Sequence, residues 1–154
     1  MPDMTMLKEK LDEKSPAKIA LLSHMKALCD ANREVILVSL CTSDGFPINC
    51  FSSSELSNKT DKFAAMSSTL SALSDSSASQ MKQGKCDITI VEATAGNMLF
   101  IKTDYIGKPC VLTLVAQNKM TLAEARYKTK KLSGVISAIT EESLSSFLES
   151  IRYD

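Results

Sequence analysis

The chain has 154 residues, of which 44% are hydrophobic and 23% charged, and its 18 basic side chains balance 18 acidic ones. That length and mix predict one folded domain with a real core, and exclude the low-hydrophobicity, high-charge class that stays disordered. With no net field, no tryptophan and only 5% aromatics, neither a nucleic-acid surface nor a base-stacking platform is expected.

The opening segment, MPDMTMLKEKLDEK, is charged throughout and lacks the apolar stretch of a secretory leader. No later run approaches the roughly eighteen apolar residues of a membrane span. A cytoplasmic protein without a span is predicted, beginning with a charged arm over 1–14 in which Met4, Leu7 and Leu11 keep helical spacing. At SPAKIALLSHMKALCD, Ser15 is a good N-cap and Pro16 fits the first helical position. Behind them Ile19, Leu22, Met25 and Cys29 form a stripe with Leu21 and Leu28 beside it, predicting a first helix.

The period then changes. REVILVSLCTSDGFPINCFSSS holds a continuous apolar run, an Asp44-Gly45 turn and a second extended run, which predicts a hairpin with strands near 34–42 and 46–52. The first strand, apolar on both faces, should be central; the second carries Pro47, which cannot donate to a ladder, and should lie at an edge.

After a polar connector, Thr60 or Asp61 is placed to cap a helix of about twenty residues, roughly 30 Å long at 1.5 Å per residue. In FAAMSSTLSALSDSSASQMK, Phe63, Met66, Leu70 and Leu73 recur along one stripe, which a disordered serine tract would lack. The other face is not the Lys/Glu/Ala surface of an ordinary amphipathic helix either, since serine is a mediocre helix former. Ser67, Ser68, Ser71, Ser74 and Ala78 are small and uncharged, and would let a partner surface approach closely. An interface helix is the expectation.

Three further extended runs follow: CDITIVEA, NMLFIKT and PCVLTLVAQ, separated by short turns. Thr121 and Glu124 then form a T-x-x-E capping arrangement that opens a helix over about 122–132. Past Gly134, Leu144, Phe147, Leu148 and Ile151 share one face of a last short helix. The expected fold is α/β of the α+β kind: a five-stranded antiparallel sheet with helices on both faces, in the order α-ββ-α-βββ-α plus short terminal helices. One domain should run over 15–137, with a helical extension over 138–154.

Chemistry is hard to assemble from this set. His24 is the sole histidine and lies within a helix, so no zinc cluster and no nucleophile-histidine set can form except around it. Gly107-Lys108 lacks the earlier glycine of a phosphate-binding loop, and no G-x-G-x-x-G occurs. Five cysteines, Cys29, Cys41, Cys50, Cys86 and Cys110, without C-x-x-C spacing, read as reduced buried thiols. Arg126, Lys128, Lys130 and Lys131 form a basic cluster, read as a solvated helix face or an acidic-partner site. No metal, cofactor or catalytic residue is expected.

The element order, the LCTSDGFPI hairpin, the long small-residue helix and the ending PCVLTLVAQNKMTLAEARYKTKKL together resemble the roadblock family over about 17–136. That resemblance implies a sheet with the long helix on one face and the other two on the opposite face. It also implies a homodimer formed through the long helix and the neighbouring edge strand, here Phe63, Met66, Ser67, Leu70, Ser71, Leu73, Ser74, Ala78, Cys86, Ile88 and Ile90. Family members are scaffolds and regulators of small Ras-like GTPases, or dynein light chains, and the extended ends here look more like the bacterial GTPase-partner group. Such a protein needs no catalytic residue, since it can reshape the GTPase's own switch loops. Two other classes stay open: a small-molecule sensor on a sheet-and-helix fold, and an enzyme using Cys50 or Cys110.

Overall fold

The computed structural model describes residues 15–52 and 59–140. Its elements are α1 (Pro16–Ala31), β1 (Val35–Thr42), β2 (Pro47–Ser52), α2 (Thr60–Gln80), β3 (Ile88–Glu92), β4 (Gly96–Tyr105), β5 (Lys108–Gln117) and α3 (Leu122–Ser137). The strands form one antiparallel five-stranded sheet, as the sequence predicts, and their order is β2-β1-β5-β4-β3. The arm expected over 1–14, and residues 141–154 of the extension expected over 138–154, lie outside the described residues.

β1 sits between β2 and β5, and six of its eight residues are buried. Two-sided burial is what its unbroken apolar run requires. Pro47 opens β2 at the edge, behind a turn where Gly45 has φ +96°, a value that glycine adopts without a Cβ penalty. A tight turn also joins β4 to β5, through Ile106 (φ +50°) and Gly107 (φ +72°); a β-branched residue is an outlier there. Ile106 packs its side chain against the core, a gain that opposes the strain.

Residues of alternating parity on the strands build two cores. Val38, Leu40, Leu99, Leu112, Leu114 and Ala116 pack with α1 and α3. On the opposite face Cys41, Phe100 and Val111 pack under α2 with Ala64. Both faces are covered, as a sheet apolar on both sides demands.

The helix ends are set by local chemistry. Ser15 accepts from the Lys18 N–H at 3.2 Å with Pro16 in the first turn, and Thr121 accepts from the Glu124 N–H at 3.2 Å. Three sequence readings need correction. The buried face of α1 is Ala17, Leu21 and Met25, whereas Ile19 is 57% exposed; the helix is apolar around much of its girth, and docking chose the neighbouring stripe. α3 does not stop before Gly134 but runs to Ser137 and buries Ile136, which offsets the ~1 kcal/mol cost of a helical glycine. α2 has no side-chain N-cap: Lys59 holds that position and Thr60 is already helical.

Candidate functional site

α2 lies across the strands. Ala64 O accepts the Cys41 thiol of β1 at 3.6 Å, Ser67 Oγ accepts from Thr113 Oγ1 of β5 at 2.8 Å, and Asp75 pairs with Lys102 of β4. Asp75 also accepts the Cys86 N–H just before β3 at 3.1 Å. The helix therefore passes from β1 over β5 and β4 towards the start of β3, touching every strand. Asp75 is the one charge in the helix after its first turn, and that isolation in a serine-rich run was the available signal for a structural carboxylate that sequence reasoning missed.

This crossing turns the expected helix faces around. Ser67 and Ser71, expected to face a partner, are buried against the chain's own sheet, together with Ala64. Ser68, Ser74 and Ala78 are half-buried. The small residues do permit close approach, but to the sheet beneath, where Phe100 supplies the bulk. The large residues lie on the flank: Met66 is 49% and Leu73 60% exposed, and Phe63 and Leu70 are half-buried. Leu70, Val91 of β3 and Met98 of β4, all half-buried, pack against the same Phe100 cluster. Val91 and Met98 were not singled out from sequence, although strand alternation places them on the α2 side.

The outcome is an apolar flank that continues onto the β3 side of the sheet. β3 is an edge strand of five residues, ITIVE, with no proline and one charge. A short apolar edge that no described strand covers is a template for another strand. Ile88 and Ile90 point to the α1/α3 side, where they support that core, and half-buried Cys86 lies just ahead of the strand. Thus Phe63, Met66, Leu70 and Leu73 gather on one flank, while Ser67, Ser71, Ile88 and Ile90 are occupied within the protomer.

The ionisable groups are quiet. Burial pushes the thiols of Cys41 and Cys110 up to about 11, and burial likewise raises Cys29 and Cys50. Such thiols are poor nucleophiles near neutral pH. His24 lies exposed on α1. Among the described residues no three His, Cys, Asp or Glu side chains could hold a metal together, and no helix is long and apolar enough to cross a membrane.

The basic cluster is mostly engaged within the chain. Lys128 bonds Asn32 and lies 3.3 Å from Glu124, while Lys130 and Arg126 reach Asp87 at 2.6 and 3.9 Å. The hydrogen bond from Lys130 holds the Asp87 carboxyl below its ordinary range. Two surface concavities are open: one lined by Asp75, Ser79, Lys82, Gly84 and Lys85, the other by the hairpin tip at Thr42–Phe46 with Lys108 and Pro109.

Comparison with known proteins is informative at the level of structure. No protein-family model and no curated protein matches the sequence. The gliding protein MglB of Thermus thermophilus is similar with a TM-score of 0.69 at 15% identity, over 83% of this chain and 93% of that one. MglB of Myxococcus xanthus gives 0.63 at 19% identity, over 80% and 91%. A Roadblock/LC7 domain from Streptomyces avermitilis gives 0.61 at 18% identity, over 82% and 95%. The described residues, with their sheet order and the long helix laid across it, have the Roadblock/LC7 fold.

Proposed function

We propose that this chain is a roadblock-family protein: a non-enzymatic, cytoplasmic homodimer that acts as scaffold or regulator of a small Ras-like GTPase. The observation that carries this reading is the exposed apolar flank of α2, Met66 and Leu73 with half-buried Phe63 and Leu70, beside the unpaired β3 edge. An apolar stripe of this kind on a globular domain marks a place where another surface sits. A second copy laid two-fold against it would cover both the flank and the strand edge. One structural neighbour, an MglB, is described with a tetrameric arrangement, which supports self-association as the reading for this fold.

The GTPase assignment rests on likeness to the MglB group and on the absence of any need for chemistry from this chain. A regulator that favours one arrangement of switch loops needs only differential contact with the two nucleotide states. The buried, high-pKa cysteines favour this over a cysteine enzyme. A small-molecule sensor would instead bind its ligand in an enclosed apolar pocket. A dynein-type light chain would share the dimer but bind a motor chain instead. Affinity capture from a lysate of the source organism, with GDP or a non-hydrolysable GTP analogue added, separates these: a small GTPase enriched in one state is expected, and a motor chain, or no GTPase in either state, overturns the proposal.

A further inference from the structure

The hairpin tips at one end of the sheet enclose a groove. The Ser43 N–H donates to Pro109 O at 3.0 Å and ties the β1–β2 tip to the start of β5. Between them lies a concavity of about 710 Å³, lined by Thr42, Asp44, Phe46, Lys108 and Pro109 among others. Its face of the sheet follows from pairing. Leu40 and Cys110 belong to the α1/α3 core, Thr42 pairs with Cys110, and Phe46 O accepts the Thr42 N–H at 2.8 Å. Alternation and cross-strand pairing therefore set Thr42, Phe46 and Lys108 on the α1/α3 face. Phe46 is 67% exposed there, beside exposed Pro109, so most of a large aromatic surface stays open for an apolar side chain to cover.

α1 brings the preceding chain to this groove. The Val35 N–H donates to Asn32 O at 3.1 Å, so the chain reverses between α1 and β1, and the helix runs back over β1 and β2. Asn49 Nδ2 donates to Met25 Sδ at 3.9 Å, and Asn49 pairs with Leu40, which sets Met25 near the level of Leu40. From there α1 continues about 13 Å to Pro16 at 1.5 Å per residue, whereas Thr42 lies about 7 Å beyond Leu40. Ser15 therefore sits at the hairpin-tip end, on the groove's own face. Residues 1–14 precede it and carry Met4, Met6 and Leu7, then Lys8 and Lys10. Seven residues of chain can span about 23 Å, so these side chains reach the groove from Ser15. Methionine adapts to irregular apolar gaps, and Asp44 at the groove is exposed with no ion pair among the described residues. The rival occupant, 141–154, leaves from α3, which lies over β4 and β5. It sets Glu141, Glu142, Glu149 and Asp154 against Arg152 alone, and that acidic surplus opposes Asp44.

We infer that the hairpin-tip groove is the docking site of residues 4–10 of the same chain, with Met4, Met6 and Leu7 covering Phe46 and with Lys8 or Lys10 meeting Asp44. The contact lies on the face opposite α2. It leaves the flank of Met66 and Leu73 free, and it stands or falls independently of the function proposed above.

The test uses the full chain. It has no tryptophan, so Phe46→Trp supplies a single fluorescent reporter in the groove. Its emission should be blue-shifted from that of free tryptophan, and adding Met4→Asp/Leu7→Asp should shift it to the red and increase its quenching by acrylamide. A second measurement needs no variant. Carbodiimide treatment of the wild type should form an amide between the Lys8 or Lys10 Nζ and the Asp44 carboxyl, within one copy when heavy- and light-isotope protein are mixed and read by mass spectrometry. Solvent-like emission from Phe46→Trp would overturn the docking. Blue-shifted emission indifferent to Met4→Asp/Leu7→Asp would overturn residues 4–10 as the occupant, in favour of 141–154 or, where the shift fades on dilution, of a second copy. Amides that join only heavy to light chains would overturn the same-chain contact, and the absence of any amide at Asp44 would overturn the charge contact.

Discussion

Leu73→Asp tests the proposed interface separately from the core. Leu73 is 60% exposed on the flank of α2, so within the protomer its replacement removes little buried surface. The expected protomer cost is the lower helix propensity of aspartate, about 0.5 kcal/mol. In the dimer the balance differs. Burying a whole leucine is worth about 2 kcal/mol, of which roughly 1 kcal/mol is still to be gained at a partner surface, and each of the two copies forfeits it. Desolvating the new aspartate adds about 1–3 kcal/mol per copy. The sum, roughly 5 kcal/mol, corresponds to a dimer constant weakened about a thousandfold or more. Sedimentation equilibrium reads the constant, and circular dichroism with thermal melting of the dilute protein reads the fold. A dimer of unchanged affinity would refute the placement of the interface. A Leu73→Asp monomer that has lost its helical signal would refute the claim that Leu73 serves only the interface.

Leu70→Asp, by contrast, should damage both quantities, because Leu70 packs beside the Phe100 core as well as lining the flank; a folded Leu70→Asp monomer with native melting would contradict that packing. Thr113→Val should cost about 1–3 kcal/mol in denaturant unfolding by stranding the buried Ser67 hydroxyl, while the double change Ser67→Ala/Thr113→Val should recover most of it. Gly96→Ala should destabilise by about 3 kcal/mol, since a Cβ there would stand 2.1 Å from Ala116 O and the β4–β5 ladder must shift; wild-type-like melting would refute the close approach. Cys41 and Cys110, held neutral by burial with pKa values of about 11, should alkylate slowly at pH 7. Their folded values lie above the unfolded thiol's ordinary range near 8.5. The stability this contributes is therefore complete at neutral pH and lost as pH rises from that range through 11, which urea midpoints against pH would show.

Much of this fold was legible because its signals are local. Capping at Ser15 and Thr121, the Asp44-Gly45 turn, Pro47 at an edge and the doubly apolar β1 each depend on a few neighbouring residues. The failures came where a helix had more than one face it could bury. α1 presents Ile19, Leu21, Leu22, Met25 and Leu28 over about half of its circumference, and contact with the sheet, absent from the local pattern, selected Ala17, Leu21 and Met25. α2 was misread for a related reason. A core must be filled, but sequence does not say which side supplies the volume; here Phe100 fills it from the sheet, so small residues go under the helix and large ones are left on its flank. The stripe of large residues was legible as a stripe, but not that Ser67 and Ser71 turn into the protomer while Met66 and Leu73 stay exposed. Asp75 and the Val91–Met98 pair escaped because their roles exist only between elements distant in the chain.

The proposed dimer is expected to read the nucleotide state of a small GTPase. Purified wild-type protein should be titrated against a small GTPase captured from the source organism, loaded with a fluorescent GDP or a fluorescent non-hydrolysable GTP analogue, and followed by anisotropy. Saturable binding at least about tenfold tighter in one nucleotide state is expected, a difference of roughly 1.4 kcal/mol between the two switch arrangements. Equal affinity in both states would remove the regulatory role and leave a scaffold, and no binding to either state by a protein that is dimeric in the same buffer would contradict the GTPase assignment itself.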